Sequence, residues 1–225
     1  MIDDCRIGHF TGDGVHLSHI WCFSVRHSML FSNRGAGLMM DGWDAFIIDN
    51  WFTGNGTAGI YAGPTAASVT ATGNRVEWNR GAGFLVESGD SWNITGNFFD
   101  RTCGPALRFG SRGGVSTMTV TGNIFRRSGK PEGRPEGERQ NSHLYIERTS
   151  NLSVTGNSFR VGRDDGGKGT FSPAFGVILD GCSQSVVANN SWQHGAMLEN
   201  CTLENCGGDV LVTGNVGEVS GELNH

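Results

Sequence analysis

Proline is scarce in this chain, 5 residues in 225, and no stretch carries the 3.6-residue apolar period of a long amphipathic helix. A helical bundle is therefore excluded. No apolar run approaches the ~18 residues that a membrane-crossing helix needs, so no membrane partner is expected. The opening residues Met1-Ile2-Asp3-Asp4 do not read as a signal peptide. Basic charge is also short: 17 Lys and Arg stand against 22 Asp and Glu, a net charge of −5. That balance offers nothing to a nucleic-acid backbone or an anionic lipid surface. The six cysteines (Cys5, Cys22, Cys103, Cys182, Cys201, Cys206) include no Cys-x-x-Cys and no metal-type spacing. They read as small buried thiols, with Cys201 and Cys206 close enough in sequence to pair.

What the chain has in excess is glycine, 36 residues, well above the average usage of roughly 7%. No Gly-X-Y period is present, so collagen is excluded and the glycines mark turns. They belong to a repeat. An apolar residue stands three positions before an asparagine in Ile47/Asn50, Ala71/Asn74, Ile94/Asn97, Val120/Asn123, Val154/Asn157, Val187/Asn190 and Val212/Asn215. Gly precedes most of these asparagines, and Phe52, Phe99, Phe125, Phe159 and Trp192 stand two after. The intervals between the asparagines are 24, 23, 26, 34, 33 and 25 residues. Val25/Ser28/Leu30 and Ile2/Cys5/Ile7 extend the frame backwards, with another small side chain in the Asn place. A unit of this length cannot bury its own apolar face, so successive units must stack.

Positions five and three before each Asn are mostly apolar (Val69 and Ala71, Trp92 and Ile94, Met118 and Val120), and threonines recur two before it: Thr72, Thr95, Thr121, Thr155, Thr213. That alternation is a half-buried strand with an outward threonine ladder. Gly-Asn ends the strand because both tolerate left-handed backbone angles. Amides stacked at one turn can hydrogen-bond along the stack, and the following Phe or Trp re-enters the core. A second strand follows, with expected copies Leu38–Met40, Ile60–Ala62, Phe84–Val86, Ala106–Arg108, Leu144–Ile146, Val177–Leu179 and Ala196–Leu198. The fold class is all-β, a right-handed parallel β-helix (solenoid) of roughly nine coils with a period of about 23 residues.

With its apolar-x-Gly-Asn-x-Phe motif repeated along nearly the whole chain, the sequence resembles the pectate-lyase-like β-helix superfamily. That group includes polysaccharide lyases, polygalacturonase-type hydrolases, alginate epimerases and phage tailspike depolymerases. The resemblance implies a carbohydrate-active protein at an extracellular or phage-particle surface. Its members usually carry a capping helix or further N-terminal coils, so residues 1–225 are expected to be a single β-helix domain of a longer protein. The Gly-His-Gly turn and Arg-x-Lys strand of the polygalacturonase type do not occur here.

Two coils are about ten residues too long, and both insertions, 128–140 and 162–172, fall between the Phe after Asn and the second strand. Side by side they make a wall, and long loops on a rigid scaffold concentrate binding and chemistry. Beside it a column of acids follows the second strand: Asp41, Glu87, Glu147, Asp180 and Glu199. Neighbours on rungs about 4.8 Å apart approach the roughly 5 Å of a retaining glycosidase pair, and Glu147 and Glu199, about two coils apart, the roughly 6.5–9.5 Å of an inverting one. The candidate catalytic residues are therefore Glu147, Asp180 and Glu199. Asp164, Asp165, Arg148, Arg163, His143, Tyr145 and Tyr61 are the expected substrate contacts. His143 and His194 are both expected to enter the second strand near the acids. Asp164 and Asp165 can contact substrate, form a catalytic pair or hold Ca²⁺ through oxygen ligands. No other cofactor is expected. The middle residues of the second strands (Met39, Tyr61, Leu85, Leu107, Tyr145, Ile178, Met197) form an outward apolar column. Such a column calls for cover by loops, a missing domain or a homotrimer, or for sugar stacking on Tyr61 and Tyr145.

Polysaccharide binding with cleavage near the long loops is the leading expectation, hydrolysis ahead of elimination because carboxylates outnumber bases there. The alternative is a non-catalytic structural or adhesion β-helix module of the tailspike-shaft or surface-repeat type.

Overall fold

The computed structural model of the chain describes residues 1–129, 140–161 and 172–219. Within them every strand pairing is parallel, and no helix is formed. The strands stack into three faces, called sheets 1 to 3; sheets 1 and 3 are joined through the first long strands into one 15-stranded sheet, and sheet 2 has nine strands. Sheet 1 holds the strands before the asparagines, such as Ala67–Thr72, Gly89–Thr95 and Val115–Thr121. Sheet 2 is a stack of nine three-residue strands after the asparagines, from Arg6–Gly8 to Val216–Glu218. Sheet 3 holds the second long strands, among them Ala58–Ala62, Ala82–Val86, Ser142–Glu147 and Phe175–Asp180. Nine strands in sheet 2 enclose about eight complete turns of a right-handed solenoid, one fewer than the repeat count suggested.

The first coils differ from the later ones. Val15–Arg26 and Leu38–Ile48 run unbroken through sheet 3 and sheet 1. From the next coil onward a turn separates the two, beginning with Gly63-Pro64-Thr65, where Pro64 has no N–H to give a ladder.

The asparagine corner is what holds rung to rung. The Asn97 backbone N–H and its side-chain Nδ2 both donate to Asn123 Oδ1, at 2.9 and 3.0 Å, and Nδ2 also reaches the Ala71 carbonyl at 2.9 Å. The same set runs from Asn50 to Asn215, and the asparagines between are buried. Each buried amide is thereby satisfied. Ser28 fills the Asn place one coil earlier, accepting from the Cys5 N–H at 3.0 Å. The residue before each Asn adopts the left-handed conformation: φ is 65° at Gly96 and Gly122, and Asp49 and Asn189 take the same geometry where Gly is missing. A second ladder, not anticipated from the repeat, joins Asn33, Asn55 and Asn79 at 3.0 Å per step.

Between the sheets lies one continuous core. The inward residue of sheet 2 is aromatic from Phe99 to Trp192. Phe99, Phe125, Phe159 and Trp192 stack with centroids 5.1, 4.9 and 4.0 Å apart and planes within 18°. Such pairs add roughly 0.5–1.5 kcal/mol each beyond burial. Thr72, Thr95, Thr121 and Thr155 lie in register on the outside of sheet 1, as expected.

Two strands of sheet 3 fall elsewhere than the repeat implied. One is Leu107–Phe109, so Leu107 points inward and Arg108 outward. The other is Glu199–Glu204 rather than a strand at Ala196–Leu198. The outward column of sheet 3 therefore reads Met39, Tyr61, Leu85, Arg108, Tyr145, Ile178, Thr202, and is not apolar throughout. All six cysteines are free. Burial pushes the Cys182 thiol up to about 11 and the Cys201 thiol to about 12, which keeps both protonated and unreactive.

Candidate functional site

The outer face of sheet 3 carries chemistry because strand alternation sends the middle residue of each strand outward while its neighbours fill the core. Immediately after that strand comes the acid column. Register sets Glu147 beside Asp180, and Asp180 beside Glu204. On the preceding rungs the same place is held by Asp41, Gly63, Glu87 and Gly110, the residues that follow paired Met40, Ala62, Val86 and Phe109.

Two tyrosine–carboxylate–arginine clusters sit on this edge. In the first, the Tyr61 hydroxyl donates to Glu87 Oε1, and Arg112 Nε lies 3.0 Å from the same oxygen. Burial, then the bond to Glu87, raises the Tyr61 pKa above that of an ordinary phenol. Tyr61 is thus a hydrogen-bond donor and a poor base. In the second, Arg108 Nη2 donates to Glu147 Oε2, and the Tyr145 hydroxyl donates to Glu147 Oε1 at 3.0 Å. The Arg108 guanidinium lies 4.0 Å above the Tyr145 ring, a cation–π contact that fixes both side chains. Arg148 reaches back to the Gly110 carbonyl, its Nη2 4.0 Å from Glu147. Asp180 accepts from Asn205 Nδ2 at 2.8 Å. A hollow of about 350 Å³ adjoins the clusters, lined by Arg80, Leu85, Arg108, Ser111 and Gln140 among others.

The residues matched by the family model for a right handed beta helix region are 1–125 and, in a second overlapping register, 65–221. The chain belongs to that family. Its two overlapping matches reflect the coil itself, since a stack of similar rungs satisfies one pattern at more than one offset. In this β-helix, membership accounts for the scaffold, while chemistry has to be argued from the side chains on it.

Of the residues singled out by sequence, Tyr61, Tyr145, Glu147, Arg148 and Asp180 are brought onto one edge of the β-helix. Two are not. Glu199 opens its strand opposite Phe175, five residues from the acid column, and accepts from the Thr202 hydroxyl; Glu204 occupies the column instead. His143 faces the core, fully buried between the rings of Phe125 and Phe159, its Nε2 3.0 Å from the Gly195 carbonyl. Other coils place Gly59, Gly83 or Ala106 there. Burial depresses the His143 pKa to about 3, so it is neutral and has no access to a ligand. His194 occupies the turn after Ser191–Gln193 of sheet 2, not the entry to sheet 3. Arg163, Asp164 and Asp165, and with them the Ca²⁺ site and most of the loop wall, lie outside the described residues. Among the described residues no cluster of three or more His, Cys, Asp or Glu has metal-binding geometry. Arg108 and Arg112 escaped the sequence reading. The inward pair Leu107 and Phe109 flanking Arg108 is the alternation that would have revealed it.

Proposed function

We propose that this β-helix binds a polysaccharide along the outer face of sheet 3 and hydrolyses it, with Glu147 and Asp180 as the carboxyl pair. The observation that carries this reading is their register on adjacent rungs, beside Tyr145, Arg108 and Arg148. Rungs about 4.8 Å apart suit the roughly 5–5.5 Å of a pair in which one carboxylate attacks the sugar and the other protonates the leaving oxygen. Tyr61 supplies a ring and hydroxyl of the kind that orient sugars, while Tyr145, buried under Arg108, positions Glu147. Glu199, displaced from the column, has no part in this reading.

A second reading has its own support. Both Glu147 oxygens already accept hydrogen bonds, from Arg108 and Tyr145, as they would in a purely structural ion pair. On that reading the β-helix is a non-catalytic adhesion or shaft module. A panel of neutral and acidic polysaccharides, followed by reducing-end release and by ultraviolet absorbance of unsaturated products, separates hydrolysis, elimination and neither. Hydrolysis predicts that Glu147→Gln and Asp180→Asn each lower turnover on the order of 10²-fold or more. Unchanged turnover in both removes the pair from catalysis, and no turnover on any polymer leaves the non-catalytic module.

A further inference from the structure

Sheet 2 presents an outer face that neither reading above uses. Its first outward column runs Arg6, Met29, Trp51, Arg75, Phe98 and Ile124 on successive rungs, in register. Trp51 and Ile124 are 41% and 43% exposed, unusual for side chains this large. Arg75 lies between two rings, its guanidinium 6.0 Å from the Trp51 centroid and 4.8 Å from that of Phe98. It remains half in solvent while Nε pairs with Glu77 at 3.0 Å. Trp51 Nε1 also donates to Glu77, at 2.9 Å, so the ring is held at a fixed angle instead of swinging freely.

The face is hollowed along its length. A depression of about 510 Å³ includes Arg6, Trp51 and Arg75, and one of about 470 Å³ starts at Phe98, on the rung next to Arg75. Arg126 and Arg160, on consecutive rungs, line the second. Two carboxylates of these strands are already engaged: Glu77 is buried beneath Arg75 and Trp51, and Asp100 against Arg127 and Arg101, while Glu218 on the last rung is exposed. Asp4 and Asp49 stand only at the turn edge of the first hollow, Asp49 within 4.0 Å of His27. A chain of net charge −5 thus shows arginine and aromatic rings along one face, while its sheet 3 edge shows carboxylates.

We infer that this face is a second glycan site, specific for an acidic polysaccharide lying along the solenoid axis. A uronic-acid ring offers both chemistries the face is built for. Its C–H face stacks on Trp51 or Phe98, and its carboxylate meets Arg75, with Arg6 toward one end and Arg126 toward the other. Trp51 and Phe98 are two rungs apart, about 10 Å at the spacing of parallel strands, so rings seated on them belong to one extended polymer. The arginines of sheet 2 favour anionic chains over neutral ones.

Affinity electrophoresis and calorimetry of the whole chain against polygalacturonate, alginate and a neutral dextran provide the test. Retention is expected on one of the acidic polymers and none on dextran, with binding weakened by salt. Arg75→Gln and the pair Trp51→Ser with Phe98→Ser are expected to weaken it by roughly tenfold or more, whereas Trp51→Phe keeps most of it. Melting curves show whether each variant is folded, and Arg75→Gln, at an exposed position, serves if the double variant is not. Affinity for the acidic polymer reads the sheet 2 site and turnover reads the sheet 3 carboxyl pair, so the two readings fail independently. Unaltered affinity in the sheet 2 variants, loss in the sheet 3 variants alone, or no acidic-polymer binding at all overturns the inference. So does a dimer broken by the same sheet 2 substitutions without glycan binding.

Discussion

The first coils and the later ones place most of their large rings differently. Up to residue 78, Phe10, Trp21, Trp43, Phe46, Trp51 and Trp78 are exposed to 41% or more, while Phe23 and Phe52 are buried. Beyond it, Phe84, Trp92, Phe99, Phe109, Phe125, Phe159 and Trp192 are all buried to 5% or less. One ladder of amides runs through both stretches at the corner, although the first two long strands run unbroken where later coils turn. What differs is the inward place of sheet 2, held by Leu30, Phe52 and Val76 in the early coils and by an unbroken ring stack later. The solenoid thus separates two uses of large rings, mainly cohesion in one stretch and mainly surface display in the other, without altering the amide corner.

Phe125→Ala and Trp51→Ala make this difference sharpest, because both remove a ring from sheet 2. Phe125→Ala opens a hole in the stack between Phe99 and Phe159 and is expected to cost about 3–5 kcal/mol in urea unfolding. Trp51→Ala is expected to cost about 1 kcal/mol or less. Equal losses would mean that the exposed ring also supports the fold. Next in size is Asn123→Ala. It strips the acceptor from the Asn97 N–H and Nδ2 and frees the Ile94 carbonyl, at about 1–3 kcal/mol per orphaned group. Asn33→Ala, in the shorter ladder of the early coils, is expected to cost less, since it lies at the end of a three-rung run.

The last prediction concerns pH. His143, depressed to about 3 by burial, binds a proton in the unfolded chain below its ordinary pKa of 6.5 but not in the folded one. Stability from this group is therefore complete above pH 6.5 and is lost as pH falls toward 3, at up to about 1.4 kcal/mol per unit. His143→Ala, which copies Ala106 one rung below, is expected to flatten the slope of stability against pH from 6.5 to 4. An unchanged slope would place the acid sensitivity elsewhere.

Most of the scaffold was legible because its corner demands particular residues. A side-chain amide accepts from the rung on one side and donates to the rung on the other with two separate groups, so Asn recurs where the chain turns, and Phe recurs where rings stack. Sheet 3 has no such fixed requirement. Its inward places accept Leu, Ile, Val, Phe or Met, so Ala196-Met197-Leu198 imitated a strand and carried Glu199 into the acid column in place of Glu204. At Arg108 the frame slipped by one residue for the same reason. The Asn33–Asn55–Asn79 ladder was readable: each stands five residues after the main corner residue, with Thr102 and Ser128 continuing the place. The ion pairs at Glu87 and Glu147 were beyond reach, since they join side chains whose directions only register and packing fix.

The amide corner has a further consequence for how the molecule tolerates change. Asn123 and Asn157 are separated by 34 residues, Asn74 and Asn97 by 23, yet the Nδ2–Oδ1 distances are 3.0 and 2.9 Å. The pitch is indifferent to how much polypeptide travels between two clasps. Like a ring binder, the solenoid holds leaves of unequal width on one spine, and new material can be sewn in at the far margin without disturbing its neighbours.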